Sequence, residues 1–76
     1  METYADPSRH PSTSVKQAVA ALEECDPEQL GTLSAAVDID ELARVFDSPS
    51  DRESISFQYC GYSITVASTH LMCIES

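Results

Sequence analysis

The chain has 76 residues, with 13 acids against 4 bases and a formal net charge of −9. That length allows one domain. No run of about 18 apolar residues is present to span a bilayer, and four scattered bases give no footprint for direct nucleic-acid binding. The first residues lack the basic-then-apolar pattern of a secretory leader, so a cytoplasmic setting is expected. Hydrophobic residues make up 42% of the chain, and their periodicity argues against a disordered acidic polymer. The other reading of such acidity is a salt-rich cytosol. Molar salt shortens the Debye length to about 3 Å and screens the self-repulsion of an acidic surface. On that reading the fold weakens as salt is removed.

Residues 1–13 contain two prolines and a Ser/Thr cluster without an apolar period. They read as a flexible tail, with the single domain spanning 14–76. Ser14 and Gln17 have the spacing of a capping box, and Val15, Ala18, Val19 and Leu22 follow at helical spacing. A first helix is expected from Ser14 to Glu24 or Cys25. Asp26-Pro27-Glu28-Gln29-Leu30-Gly31 combines an N-cap, a first-turn proline and a stop, which predicts a single helical turn. It sends Leu30 and Leu33 into the core. Asp38 caps a second helix over Ile39–Asp47, with Glu41 closing a capping box and Val37 stapled onto Leu42. Leu42, Val45 and Phe46 form its apolar stripe.

After the polar loop 47–53 the period changes to two. Ile55, Phe57 and Tyr59 alternate with polar residues, and so do Tyr62, Ile64 and Val66 beyond Cys60-Gly61. A two-residue loop ending in Gly predicts a hairpin. The pairs Tyr59–Tyr62, Phe57–Ile64 and Ile55–Val66 then share one face, and the opposite face is polar. Leu71-Met72-Cys73-Ile74 supplies a third strand that is apolar on both sides, so its inward face is not assignable. The expected architecture is α+β: a two-layer sandwich in which two helices and a short helical turn pack on a three-stranded antiparallel meander.

Several of these residues together resemble a known family. Asp26-Pro27-x-x-Leu30, Leu33, Val37-Asp38-x-Asp40-x-Leu42, Val45-Phe46 and Ile55-x-Phe57-x-Tyr59-x-Gly61-Tyr62-x-Ile64-x-Val66 look like the haloarchaeal output domain, type one. The similarity runs from about Val15 to the C-terminus, and the hairpin stretch is its most specific part. The resemblance implies a small halophilic signalling module that acts by contact, with no catalytic or ligand residues attached to the family. The chain departs from the pattern at Gly31-Thr32 and at Ile39, where prolines are common, and in the third strand with His70 and Cys73.

Chemistry-bearing groups are sparse. His70-x-x-Cys73 with Cys25 and Cys60 is a poor zinc set, because zinc wants three or four converging ligands brought in as close pairs. No Cys is followed by the turn that a nucleophile requires. Neither an enzyme nor a cofactor is expected. Tyr59 and Tyr62 read as a register-pinning pair or as an aromatic patch for a partner. The apolar third strand, if it is an edge, is a template for strand addition or self-association. Tyr59, Tyr62, Leu71 and Cys73 are therefore the candidate contacts for a protein partner or a second copy. The alternative is a small-molecule sensor with a pocket between helices and sheet.

Overall fold

A computed structural model describes residues 1–76. The elements run β1 (Glu2–Tyr4), α1 (Pro11–Glu23), two short 3-10 turns (Pro27–Gln29 and Leu33–Ala35), α2 (Ile39–Phe46), β2 (Ser54–Tyr59), β3 (Tyr62–Ala67) and β4 (Leu71–Glu75). The strands form one antiparallel sheet in the order β1-β4-β3-β2. The fold is α+β as expected, with four strands in place of three.

The hairpin has the register that its alternation dictates: Tyr59 opposite Tyr62, Phe57 opposite Ile64 and Ile55 opposite Val66. Its turn places Cys60 at φ 54 and Gly61 at φ 84. Positive φ at both central residues is the type I′ geometry, whose twist matches that of the flanking strands. Gly adopts it freely, whereas a Cys in the left-handed region costs on the order of 1 kcal/mol.

The helices begin and end for local reasons. Asp38 accepts hydrogen bonds from the N–H groups of Asp40 (2.9 Å) and Glu41 (3.3 Å), capping α2 as read. The return bond from Glu41 is not made, so only half of the expected capping box forms. The expected cap of α1 is displaced. Its N-cap is His10, whose Nδ1 accepts from the Ser12 N–H, with Pro11 in the first turn. Pro11 carries the φ that a first turn needs and has no N–H to waste there, so it begins the helix three residues before Ser14. Ser14 is then an interior, buried helix residue. At the other end Glu24 is left-handed, Glu24 N–H bonds the Ala21 carbonyl and Cys25 N–H bonds the Ala20 carbonyl. This is a Schellman stop made without glycine.

The expected flexible tail is the larger correction. Residues 2–4 are a strand, Ala5 is buried and residues 11–13 are helical. Ala5 N–H bonds the His70 carbonyl at 2.7 Å, and Ile74 N–H bonds the Met1 carbonyl at 2.8 Å. Strand β4 has two hydrogen-bonding sides and β3 fills one. The N-terminal segment fills the other, which satisfies main-chain groups that would otherwise be left at an apolar edge. Between strand and helix, the Ser8 hydroxyl and N–H both donate to Asp6 and hold its carboxyl below the usual carboxylate range.

The core lies between the helices and one face of the sheet. Val15 and Val19 of α1, Leu42 and Phe46 of α2, and Leu33 and Val37 from the connection pack against Ile64, Val66, Met72 and Ile74. Leu30 is partly buried against this cluster. Met72 and Ile74 settle the inward face of β4, because each pairs across to an inward residue of β3. His70 ties the layers together. Its ring stacks on Phe46 at a centroid distance of 4.2 Å, and its Nε2 lies 3.2 Å from the Phe46 carbonyl oxygen at the end of α2.

Candidate interaction surface

The sheet has helices on one face only, and the register assigns the residues of the other. Glu2 and Tyr4 of β1 pair with Cys73 and Leu71 of β4, and Cys73 pairs with Thr65 of β3. Paired residues share a face. The open face therefore carries Glu2, Tyr4, Leu71, Cys73 and Glu75 on one side, then Ser63, Thr65 and Ala67, then Ser54, Ser56 and Gln58 on β2. Tyr4 is 72% exposed, while Leu71, Cys73, Thr65 and Ala67 are half-buried among their neighbours. Ser56 and Thr65 hydroxyls bond across it at 3.0 Å. Of the 13 acids, only Glu2 and Glu75 stand on strands. Both fall on this face, the Glu2 carboxylate accepting from the Cys73 thiol at 3.8 Å; the remaining acids lie on the helical layer and the connecting loops, so this face is sparsely charged for a strongly acidic molecule.

The four sequence-derived candidates separate into two groups. Leu71 and Cys73 lie together on the open face, but not at an edge. β1 pairs along β4, so the expected strand-addition template is already occupied. The free edges are the outer sides of β1, three residues long, and of β2, six residues long. Tyr59 and Tyr62 lie on the helix-facing side at the hairpin end. Tyr59 is buried, and its hydroxyl donates to the Gly31 carbonyl. Burial, with the neighbouring Cys60 thiol, pushes its hydroxyl above its ordinary 10.0. Tyr62 is half-buried beside Glu23, whose carboxylate raises its hydroxyl too. The pair pins the register and clamps the hairpin to the end of α1 and the following turn, and Tyr59 offers a partner no surface.

Tyr4 was missed because Glu2–Tyr4 carries no apolar alternation, and its pairing with β4 joins residues from opposite ends of the chain.

No group of three or more His, Cys, Asp or Glu side chains is arranged to hold a metal ion. Cys25, Cys60 and Cys73 are free thiols on α1's exit, the hairpin turn and the open face. Three solvent-open hollows mark the surface. One, of about 330 Å³, lies between α1 and the β1–β4 side of the sheet and is lined by Thr3, Asp6, Gln17 and Met72 among others. No helix is long and apolar enough to cross a membrane.

Comparison with known proteins gives one match. The family model described as Halobacterial output domain 1 matches residues 7–75. No curated protein and no solved structure matches the chain.

Proposed function

The chain belongs to the Halobacterial output domain 1 family, and from that premise we propose that it is a non-catalytic output module that passes a signal by protein contact through the open face of its sheet. The observation that carries this reading is the charge distribution. A net charge of −9 repels most acidic neighbours in the same cell. The broad surface where that field is weakest is the partly apolar patch of Tyr4, Leu71, Cys73, Thr65 and Ala67, with Glu2 and Glu75 the two carboxylates beside it. Interface cores favour such composition, being poor in charge and supplied with an aromatic anchor.

The test is capture from haloarchaeal lysate at native salt, with wild type and a Leu71→Lys variant in parallel. A protein held by wild type and lost with Leu71→Lys supports the reading. Equal capture by both, or by neither, removes it. The small-molecule alternative draws on the hollow between α1 and the sheet. A thermal-shift screen in molar salt favours it if a metabolite raises Tm and Gln17→Ala cancels the rise.

The salt-rich setting belongs to the same proposal. The structure contains one ion pair, Arg9–Asp6 at 3.7 Å, so nearly all of the acids have no ion-pair partner. Their repulsion is left to solvent ions, which screen over about 3 Å at molar salt and about 30 Å at 0.01 M. Circular dichroism should lose its folded signature as salt falls. An unchanged spectrum down to millimolar salt contradicts this part.

A further inference from the structure

The two edges of the sheet are not equivalent, and the longer one is bare. In β2 the odd residues bond inward to β3. The two-residue hairpin makes Tyr59 and Tyr62 a hydrogen-bonded pair, and the bond from Ser68 N–H to the Glu53 carbonyl, at 2.9 Å, continues the same phase. The N–H and C=O groups of Ser54, Ser56 and Gln58 therefore point away from the sheet. None of the main-chain hydrogen bonds outside the ladders involves them.

Natural edges are usually blunted by Lys, Pro, a bulge or a charge turned inward. Strand β2 reads Ser-Ile-Ser-Phe-Gln-Tyr and has none of these, and its pairing with β3 is unbroken over all six residues. Ile55 and Phe57 face the helical layer and pack against the core, yet as edge-strand residues they are only half-buried.

We propose that β2 pairs antiparallel with β2 of a second copy, about a two-fold axis through Ser56, to make one continuous eight-stranded sheet. This rests on the reading of the sheet as a contact surface and names a partner for its edge.

The register follows from two constraints. Side chains must stay on matching faces, which forbids a slip by one residue. Hydrogen bonds must join outward-pointing residues. Ser56 opposite Ser56 of the second copy, with Ser54 opposite Gln58, meets both and uses every outward residue. A slip by two residues leaves one of them facing the turn or the loop. In this register Ile55 lies opposite Phe57 of the second copy, so the half-buried pair covers itself.

Charge selects the orientation. The cluster Asp51-Arg52-Glu53 precedes β2, and the turn that follows is uncharged. Antiparallel pairing sets each copy's cluster beside the other's neutral turn, with the two Glu53 residues about 20 Å apart at the ~3.3 Å rise of a strand. Parallel pairing would bring the clusters side by side. The contact is small, so a transient dimer in the micromolar-to-millimolar range is expected.

Sedimentation of the purified chain at molar salt, from micromolar to millimolar concentration, tests this. Wild type should rise from the 8.3 kDa of one chain toward twice that mass. Ser56→Pro removes an outward N–H that the chain's own sheet does not use, a position where an edge strand tolerates proline. It should weaken association at least tenfold with an unchanged circular dichroism spectrum. Ser54→Pro, at the first residue of the strand, is the second variant if Ser56→Pro does not fold, and the same weakening is expected. Leu71→Lys, two strands away, should dimerise like wild type whatever it does to partner capture, so the edge and the open face fail separately. A wild type that stays at one-chain mass through millimolar concentration overturns the proposal. Folded proline variants that associate as wild type does overturn it as well.

Discussion

The two edges of this sheet show opposite treatments of the same problem. At one, β4 would present Leu71, Cys73 and a row of main-chain groups to solvent. The chain's first residues cover it as β1, a three-residue strand bearing Glu2, too short to be a good template in its turn. At the other, β2 is twice as long, uncharged and unblunted, and nothing in the chain covers it. An apolar strand thus has its edge closed from within, while a polar-faced strand keeps its edge open. The difference places self-association on β2 and leaves the broad face over β4 and β3 for other partners.

The largest effect should come from abolishing the difference. Deleting residues 1–5 strips β1, and both edges then accept strands. Stability should fall by about 2 kcal/mol from lost main-chain bonds, net of the freed chain. More visibly, a limited dimer should give way to open-ended assemblies. Light scattering and denaturant melts read the two effects, and a truncated chain with the wild-type association curve would break the contrast.

The same contrast should appear in the core. Leu42 is fully buried under the centre of the sheet, and Leu42→Ala should cost about 2–5 kcal/mol. Phe57 is the larger side chain but is only half-buried on the edge strand, and Phe57→Ala should cost only about 1 kcal/mol in the monomer. It should also weaken the dimer. Denaturation at low protein concentration separates the two, and equal costs would show that the edge position does not weaken the packing of Phe57.

A smaller effect belongs to the hairpin end. Tyr59→Phe removes the donor to the Gly31 carbonyl and should cost about 1 kcal/mol. Because burial raises the Tyr59 hydroxyl above 10.0, the folded state favours its neutral form. That contribution is fully present below pH 10.0 and is lost as pH climbs through the raised value. Thermal melts of wild type should therefore decline on the alkaline side more steeply than those of Tyr59→Phe. Parallel declines would show that the hydroxyl is not held by the fold.

The parts that were legible from sequence are those fixed within a few residues. Asp38 caps α2 through N–H groups two and three positions on, and Cys60-Gly61 sets the hairpin register by itself. What was not legible depended on distant residues. Glu2–Tyr4 has no apolar alternation, and it becomes a strand because β4, some 70 residues on (Glu2 meets Cys73), needs a second neighbour. Ser14 has good capping chemistry but loses to Pro11, which starts the helix earlier. The candidate surface followed the same rule. Leu71 and Cys73 stood out as apolar residues in a polar context, but only the pairing of β1 shows that they lie on a face and not at an edge. Tyr59 and Tyr62 flank the turn in sequence, and only the packing of α1 and its following turn shows them committed to the fold.

Main-chain amides report directly on whether β2 is the open, used edge. Residue-resolved amide exchange and chemical shifts should be followed by NMR at molar salt across a concentration series. Ser54, Ser56 and Gln58 amides should gain protection and shift with concentration, while Ile55 and Phe57 amides, already bonded to β3, should change little in protection. No such change is expected along β1. Concentration-independent Ser54, Ser56 and Gln58 amides, or changes confined to β1 or the open face, would contradict it.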